Sequence, residues 1–174
     1  FGVDKNYEAV PLLCGSYAVS EDLMTYYFYL APGATFSDGT AVTMNDVYAS
    51  YQVAQETEMY RNRFYHFSDI SVNEAGALVV QLDTAFENLP ILMDIPIIKA
   101  SEVDSDRPLG AGPYFFENSI SGLQLRRRTN WWCESEDLAA AATSVSLTVA
   151  ESPSQIRNEF QFANVDLVVA DPGS

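Results

Sequence analysis

Phe36-Ser37-Asp38-Gly39-Thr40-Ala41-Val42-Thr43-Met44-Asn45-Asp46-Val47 carries the strongest local signals in this chain. Ser37-Asp38-Gly39-Thr40 reads as a tight turn, with Gly39 taking the position that needs φ > 0. Thr43 is then a candidate helix N-cap. Asp46, three residues on, completes an acidic variant of the capping box, and its carboxylate also sits in the first turn, where the helix dipole favours negative charge. Val47, Tyr51 and Ala54 recur at i, i+4 and i+7, one apolar stripe that should face the core.

Working outward, Tyr17-Ala18-Val19 and Thr25-Tyr26-Tyr27-Phe28-Tyr29-Leu30 are rich in β-formers and read as two strands of a meander across Ser20-Glu21-Asp22. The first ten residues are unpatterned, a plausible arm. Downstream, residues 67–72 and 77–82 flank Asn73-Glu74-Ala75-Gly76 as a hairpin, with Leu78, Val80 and Leu82 on one side. A short helix is expected over 88–94, with Pro90 in its first turn, then a short or edge strand at Ile95-Pro96-Ile97-Ile98. Residues 101–108 read as a solvated acidic loop. A second hairpin should join 114–117 to 123–127 across 119–122, followed by another acidic loop at 134–137. The end of the chain has the rhythm strand (145–149), helix (152–162, with Ser152 as cap and Pro153 at the first helical position), strand (165–169). The expected fold class is mixed α/β (α+β), richer in strand than in helix, in a single domain over 1–174.

Nearly half of the 174 residues are apolar, enough to build a real core. Charge is lopsided: 24 acidic against 9 basic residues, a formal net of −15. Such a field repels nucleic acids and anionic lipid surfaces, so no nucleic-acid partner is expected. The one basic cluster, Arg126-Arg127-Arg128, reads as the end of a strand on a solvated face. Cys14 and Cys133 are compatible with a disulfide, and more so with two small buried hydrophobes. No apolar run approaches the length of a membrane span. The chain opens on Phe1 rather than Met and stops just after an apolar run, so it reads as an excerpt of a longer protein.

Catalytic constellations fail one by one. His66, the single histidine, sits between Tyr65 and Phe67 and reads as a half-buried ring, since no motif sets a nucleophile beside it. There is no Gly-x-Ser-x-Gly elbow, and two distant cysteines with one histidine do not make zinc spacings. Glu102, Asp104 and Asp106, and the run Glu134-Ser135-Glu136-Asp137, lack the twelve-residue glycine-containing loop of a calcium site. Gly110-Ala111-Gly112-Pro113-Tyr114 departs from a dinucleotide loop, because no third Gly follows and Pro113 removes an N–H donor. It reads instead as a stiff passage between substructures, with Gly for unusual dihedrals and Pro to set the next one. No enzyme activity, metal or cofactor is expected.

In order, these pieces resemble a known family. Pro11-Leu12-Leu13-Cys14-Gly15-Ser16-Tyr17-Ala18-Val19-Ser20-Glu21-Asp22, the Thr25–Leu30 strand, the segment from Phe36 to Val47 and Pro108-Leu109-Gly110-Ala111-Gly112-Pro113-Tyr114 are collinear with motifs of the family 5 extracellular solute-binding proteins. These are the oligopeptide-, dipeptide- and nickel-binding components of ABC importers. Asn130-Trp131-Trp132 and Asn164-Val165-Asp166-Leu167 resemble its later motifs. Ala31, Ala41, Ala111 and Asn164 depart from the family's usual Arg, Pro, Thr and Gly, which marks a divergent member.

The resemblance implies part of lobe one of a two-lobed, type II periplasmic-binding-protein-like fold, with the second lobe absent from this chain. It also implies an extracytoplasmic protein, lipid-anchored in its full-length form, that captures peptide or another small solute and docks on ABC permease subunits. Gly110, Ala111, Gly112, Pro113 and Tyr114 are the candidates to face the ligand cleft or act as a hinge; the Phe36–Thr40 turn is assigned to the fold. Two rivals stand beside it. One is a stand-alone cell-surface interaction module; the other is a hydrolase using Ser37, Asp38 or His66.

Overall fold

Residues 2–10 do not form the expected arm. Gly2–Val3 (β1) pairs antiparallel with Ala9–Val10 (β2), because Asp4 closes the turn: its Oδ1 accepts the backbone N–H groups of Asn6 and Glu8 at 2.8 and 2.9 Å. Such local side-chain acceptors stand in for a backbone turn, a signal that hydrophobic periodicity does not carry. A computed structural model describes this hairpin within residues 1–119, and further on residues 122–133, 142–150, 152–162 and 164–168.

Cys14–Val19 (β3) and Thr25–Leu30 (β4) form the expected meander. With Phe67–Val72 (β5) and Leu78–Leu82 (β6) they make one antiparallel sheet of order β3-β4-β6-β5. Tyr26 lies opposite Val80, and Phe28 opposite Leu78. Period-2 alternation therefore puts these side chains on one face, and all four are buried. Helix α1 (Met44–Glu56) packs on β5 and β6. Its stripe of Val47, Tyr51 and Ala54 joins Tyr26, Phe28 and Val80 in one core. Each large apolar side chain so buried contributes about 1.5–3 kcal/mol. Tyr51, wholly enclosed, keeps its hydroxyl satisfied on the Met93 carbonyl at 2.9 Å.

Beyond the sheet the chain is irregular. The short helix expected at 88–94 is a 3₁₀ turn over Leu89–Met93, with Pro in its first turn. Residues 95–98 do not form a strand. Among the described residues one isolated bridge, Ile98 to Gly110, is made there, since Pro96 has no N–H to give a ladder. The acidic loop at 101–108 begins inside another 3₁₀ turn, Ala100–Glu102. Glu102 is not merely solvated, for its Oε2 accepts the Leu109 N–H at 2.9 Å.

A second antiparallel sheet follows, from Tyr114–Ser119 (β7), Gly122–Arg127 (β8) and Ser144–Leu147 (β9), in the order β7-β8-β9. The centre of the β7–β8 turn and the acidic loop expected at 134–137 lie outside the described residues. Helix α2 (Pro153–Gln161) starts where expected: the Ser152 hydroxyl accepts the Gln155 N–H at 3.2 Å. The strand expected at 165–169 is absent over 165–168, and residue 169 lies outside the described residues. Apolar residues become a strand only where a neighbour completes the ladder. No described strand pairs with this segment.

The arginine cluster needs a correction. Arg126 is exposed and meets Glu117 at 2.7 Å, but Arg128 turns inward and is only 7% exposed. Cys14 and Cys133 are free and half-buried. The whole is a strand-rich α+β arrangement, as expected from the sequence.

Candidate functional site

The residues proposed from sequence, Gly110, Ala111, Gly112, Pro113 and Tyr114, form the link between the first sheet's body and β7. Its position is set by hydrogen bonds on several sides. Lys99 N–H donates to Leu109 O at 2.9 Å, Ala111 N–H to Ile97 O at 3.1 Å and Ser37 N–H to Gly110 O at 3.2 Å. The indole N–H groups of Trp131 and Trp132 both donate to the Ala111 carbonyl, at 3.0 and 2.9 Å. From below, Arg128 donates to the Thr35 carbonyl at 2.9 Å and to the Thr35 hydroxyl at 2.9 Å, with a longer contact to the Gly112 carbonyl at 3.4 Å. Burial pushes the Arg128 guanidinium down from its ordinary pKa, against the favourable charge of Asp38.

The expectation of unusual glycine dihedrals in this link is not met. Among the described residues the glycines with positive φ are Gly33, Gly39, Gly76 and Gly122. A Cβ at Gly112 would meet nothing within 4 Å. The link's course comes from its hydrogen bonds, not from a conformation reserved to glycine.

The Phe36–Thr40 turn abuts the same link. Gly39 sits at φ 85°, the left-handed region that its turn requires. Asp38 Oδ1 accepts the Thr40 N–H at 2.9 Å and its hydroxyl at 2.6 Å, and Lys99 Nζ reaches Asp38 Oδ2 at 2.7 Å. The Lys99 ammonium first, then Thr40, hold the Asp38 carboxyl well below the usual carboxylate range, and Asp38 in turn raises Lys99. Asp46 works in the same seam. It accepts the Thr43 N–H at 2.8 Å, closing the capping box, and the Ala100 N–H at 2.8 Å. Burial alone would raise its pKa, but these donors outweigh burial and lower it. Turn, cap and link are one polar seam along the edge of an apolar cleft.

That cleft has a volume of about 780 Å³. All five link residues line it, together with residues 95–98, Leu13 and Trp132, and Asp38, Asp94 and Arg107 bring charge to the lining. Periodicity did not single out residues 95–98 as lining, since they sit in an irregular segment; a run of three isoleucines around Pro96 was the available signal. Ser37 also lines the cleft, and its buried hydroxyl, like Arg128 Nε, has no hydrogen-bond partner among the described residues.

His66 is exposed rather than half-buried, and its Nδ1 lies 3.0 Å from Asp83 Oδ1. Asp38 is engaged by Lys99 and Thr40 instead, so Ser37, Asp38 and His66 do not assemble as a triad. Among the described residues no group of three or more His, Cys, Asp or Glu side chains converges as metal ligands, and no helix is long and apolar enough to cross a membrane.

Comparison with known proteins gives a consistent picture. The family model described as "Bacterial extracellular solute-binding proteins, family 5 Middle" matches residues 8–174. A probable peptide ABC transporter periplasmic-binding protein of Sinorhizobium fredii is 30% identical over 135 residues, covering 70% of this chain and 25% of the relative. The glutathione-binding protein GsiB of Pectobacterium atrosepticum is 27% identical over 146 residues, covering 76% of this chain and 28% of its own length. In fold, the chain is similar to NikZ of Campylobacter jejuni, solved with Ni(L-His), at a TM-score of 0.71 and 17% identity, over 94% of this chain and 35% of that one. This chain thus spans about a quarter to a third of the length of these relatives.

Proposed function

Because this chain belongs to the family 5 bacterial extracellular solute-binding proteins, we propose that it is the first-lobe portion of the substrate-binding component of an ABC importer. In this reading the complete protein has two lobes, captures peptides outside the cell and delivers them to permease subunits in the membrane. It is held at the membrane by a lipid anchor carried elsewhere in the full-length chain. Binding, not catalysis, is its work.

One observation carries the reading within this chain. The link of Gly110, Ala111, Gly112, Pro113 and Tyr114 lies at the junction of two sheets and lines a cleft of about 780 Å³, within the roughly 300–1,000 Å³ typical of small-solute sites. These five residues are the proposed ligand-facing or hinge positions. A closing lobe opposite the cleft would exclude water from a captured solute, and fixation of the link by Trp131, Trp132 and Arg128 gives that closure a firm wall, which favours the ligand-facing role over the hinge. Peptide is favoured as the solute because a relative 30% identical to this chain is named for peptide transport. A stand-alone surface module would not account for the match across residues 8–174.

The natural reading frame checks the lobe assignment: a second lobe should be encoded in the same frame. The solute is checked by a thermal-shift screen of the full-length protein against peptide and nickel-complex libraries. At least one peptide should raise its Tm in a concentration-dependent way. Stabilisation by another solute class alone would overturn the peptide assignment.

A further inference from the structure

We infer that the cleft selects short peptides bearing bulky aliphatic or aromatic side chains, an inference that rests on the solute-binding reading above. Its lining is dominated by apolar groups. Ile95, Ile97 and Ile98 come from one segment, Leu109 from the strand-like partner of that segment, and Trp132 from beyond β8. Of these, Ile97, Leu109 and Trp132 are only partly buried and pack against the core, so they form a wall that still has apolar surface to offer.

The charged lining groups are few and specific. Asp38 is already committed to Lys99 at 2.7 Å. Asp94 meets Arg63 only at 3.8 Å and its side chain is 43% exposed, while Arg107 brings the opposite charge to the same lining. These charged groups are a small part of a lining that is otherwise mostly apolar. A metal complex has less to gain here, for no group of metal-ligating side chains converges among the described residues. A sugar would leave its hydroxyls facing isoleucines, unpaired.

The selectivity follows from transfer of apolar area out of water. Burying two or three additional methylene groups is enough for about a tenfold gain in affinity. Gly112 supplies an independent handle. It lines the cleft, its φ lies outside the left-handed region and a Cβ there meets nothing within 4 Å, so a side chain added at this point takes up cleft volume without backbone strain.

The test is calorimetric titration of the full-length protein with tripeptides of leucine or phenylalanine against tripeptides of serine or asparagine. The apolar set should bind at least about tenfold more tightly. Ile97→Asn should weaken the apolar set several-fold while leaving the polar set within about twofold, and Ile97→Val should keep the wild-type preference. Gly112→Leu should weaken the apolar set with an unchanged Tm, which keeps the test decisive if Ile97→Asn fails to fold. Equal affinity for both peptide sets overturns this inference and leaves the peptide reading intact. Binding of a nickel complex or a sugar with no peptide binding overturns both. If affinities for both sets fall together with Tm in Ile97→Asn, and Gly112→Leu changes neither affinity, the cleft is an internal packing surface and the inference fails.

Discussion

At the residue scale, the Ala111 carbonyl shows how redundancy protects a critical position. It accepts two indole N–H groups, from Trp131 and Trp132. Removing one donor leaves the carbonyl satisfied, whereas removing both leaves a part-buried acceptor with neither indole donor, at about 1–3 kcal/mol. Trp131→Phe and Trp132→Phe should therefore each cost less than about 1 kcal/mol, and the double variant more than their sum. Urea unfolding of the four proteins reads this directly, and strict additivity would sink it. The pair was visible in the sequence as Asn130-Trp131-Trp132, but its target was not, because nothing in a linear chain shows which distant carbonyl an indole will meet. Gly39 is the opposite case. Its turn is local, so its φ of 85° was legible from four consecutive residues, whereas the glycines of the 110–114 link looked similar in sequence and have no such need.

Helix α1 is the element most completely determined by its own residues. Its cap, its box and its buried stripe all appear where periodicity and spacing put them. Asp46 adds a bond that spacing does not reveal, to the Ala100 N–H, 54 positions away. Its folded-state pKa is lowered from 3.8. A depressed carboxylate pKa contributes stability that is fully present above the unfolded value and is lost as pH falls through the folded one. Asp46→Asn should then cost about 1–2 kcal/mol at pH 7, and the difference from wild type should shrink as pH is taken down below 3.8. Chemical denaturation at neutral and acidic pH measures it; a constant difference across that range would show that the carboxylate charge is irrelevant. Residues 95–98 and 165–168 are mostly apolar without being strands, since apolar runs become strands only when a ladder partner is in place.

For the whole molecule, a formal net charge of −15 over 174 residues outweighs the few ion pairs made by nine basic residues. Like charges repel across a compact surface, and salt screens that repulsion over about 10 Å at 0.1 M. Raising salt from about 10 to about 150 mM should raise the chain's Tm; a fall would mean that pairs such as Lys99–Asp38 dominate instead. The sequence by itself determined the family, the strand-rich class, the first sheet, the capped helix and the Phe36–Thr40 turn, because each rests on contacts between near neighbours or on a period that a linear pattern records. Only the tertiary structure decided that Arg128 is buried beneath Thr35 and Gly112, that two tryptophans clamp Ala111, and that residues 95–98 line a cleft with the 110–114 link. Those outcomes depend on which distant surfaces meet, and burial and hydrogen bonding are settled only when they do.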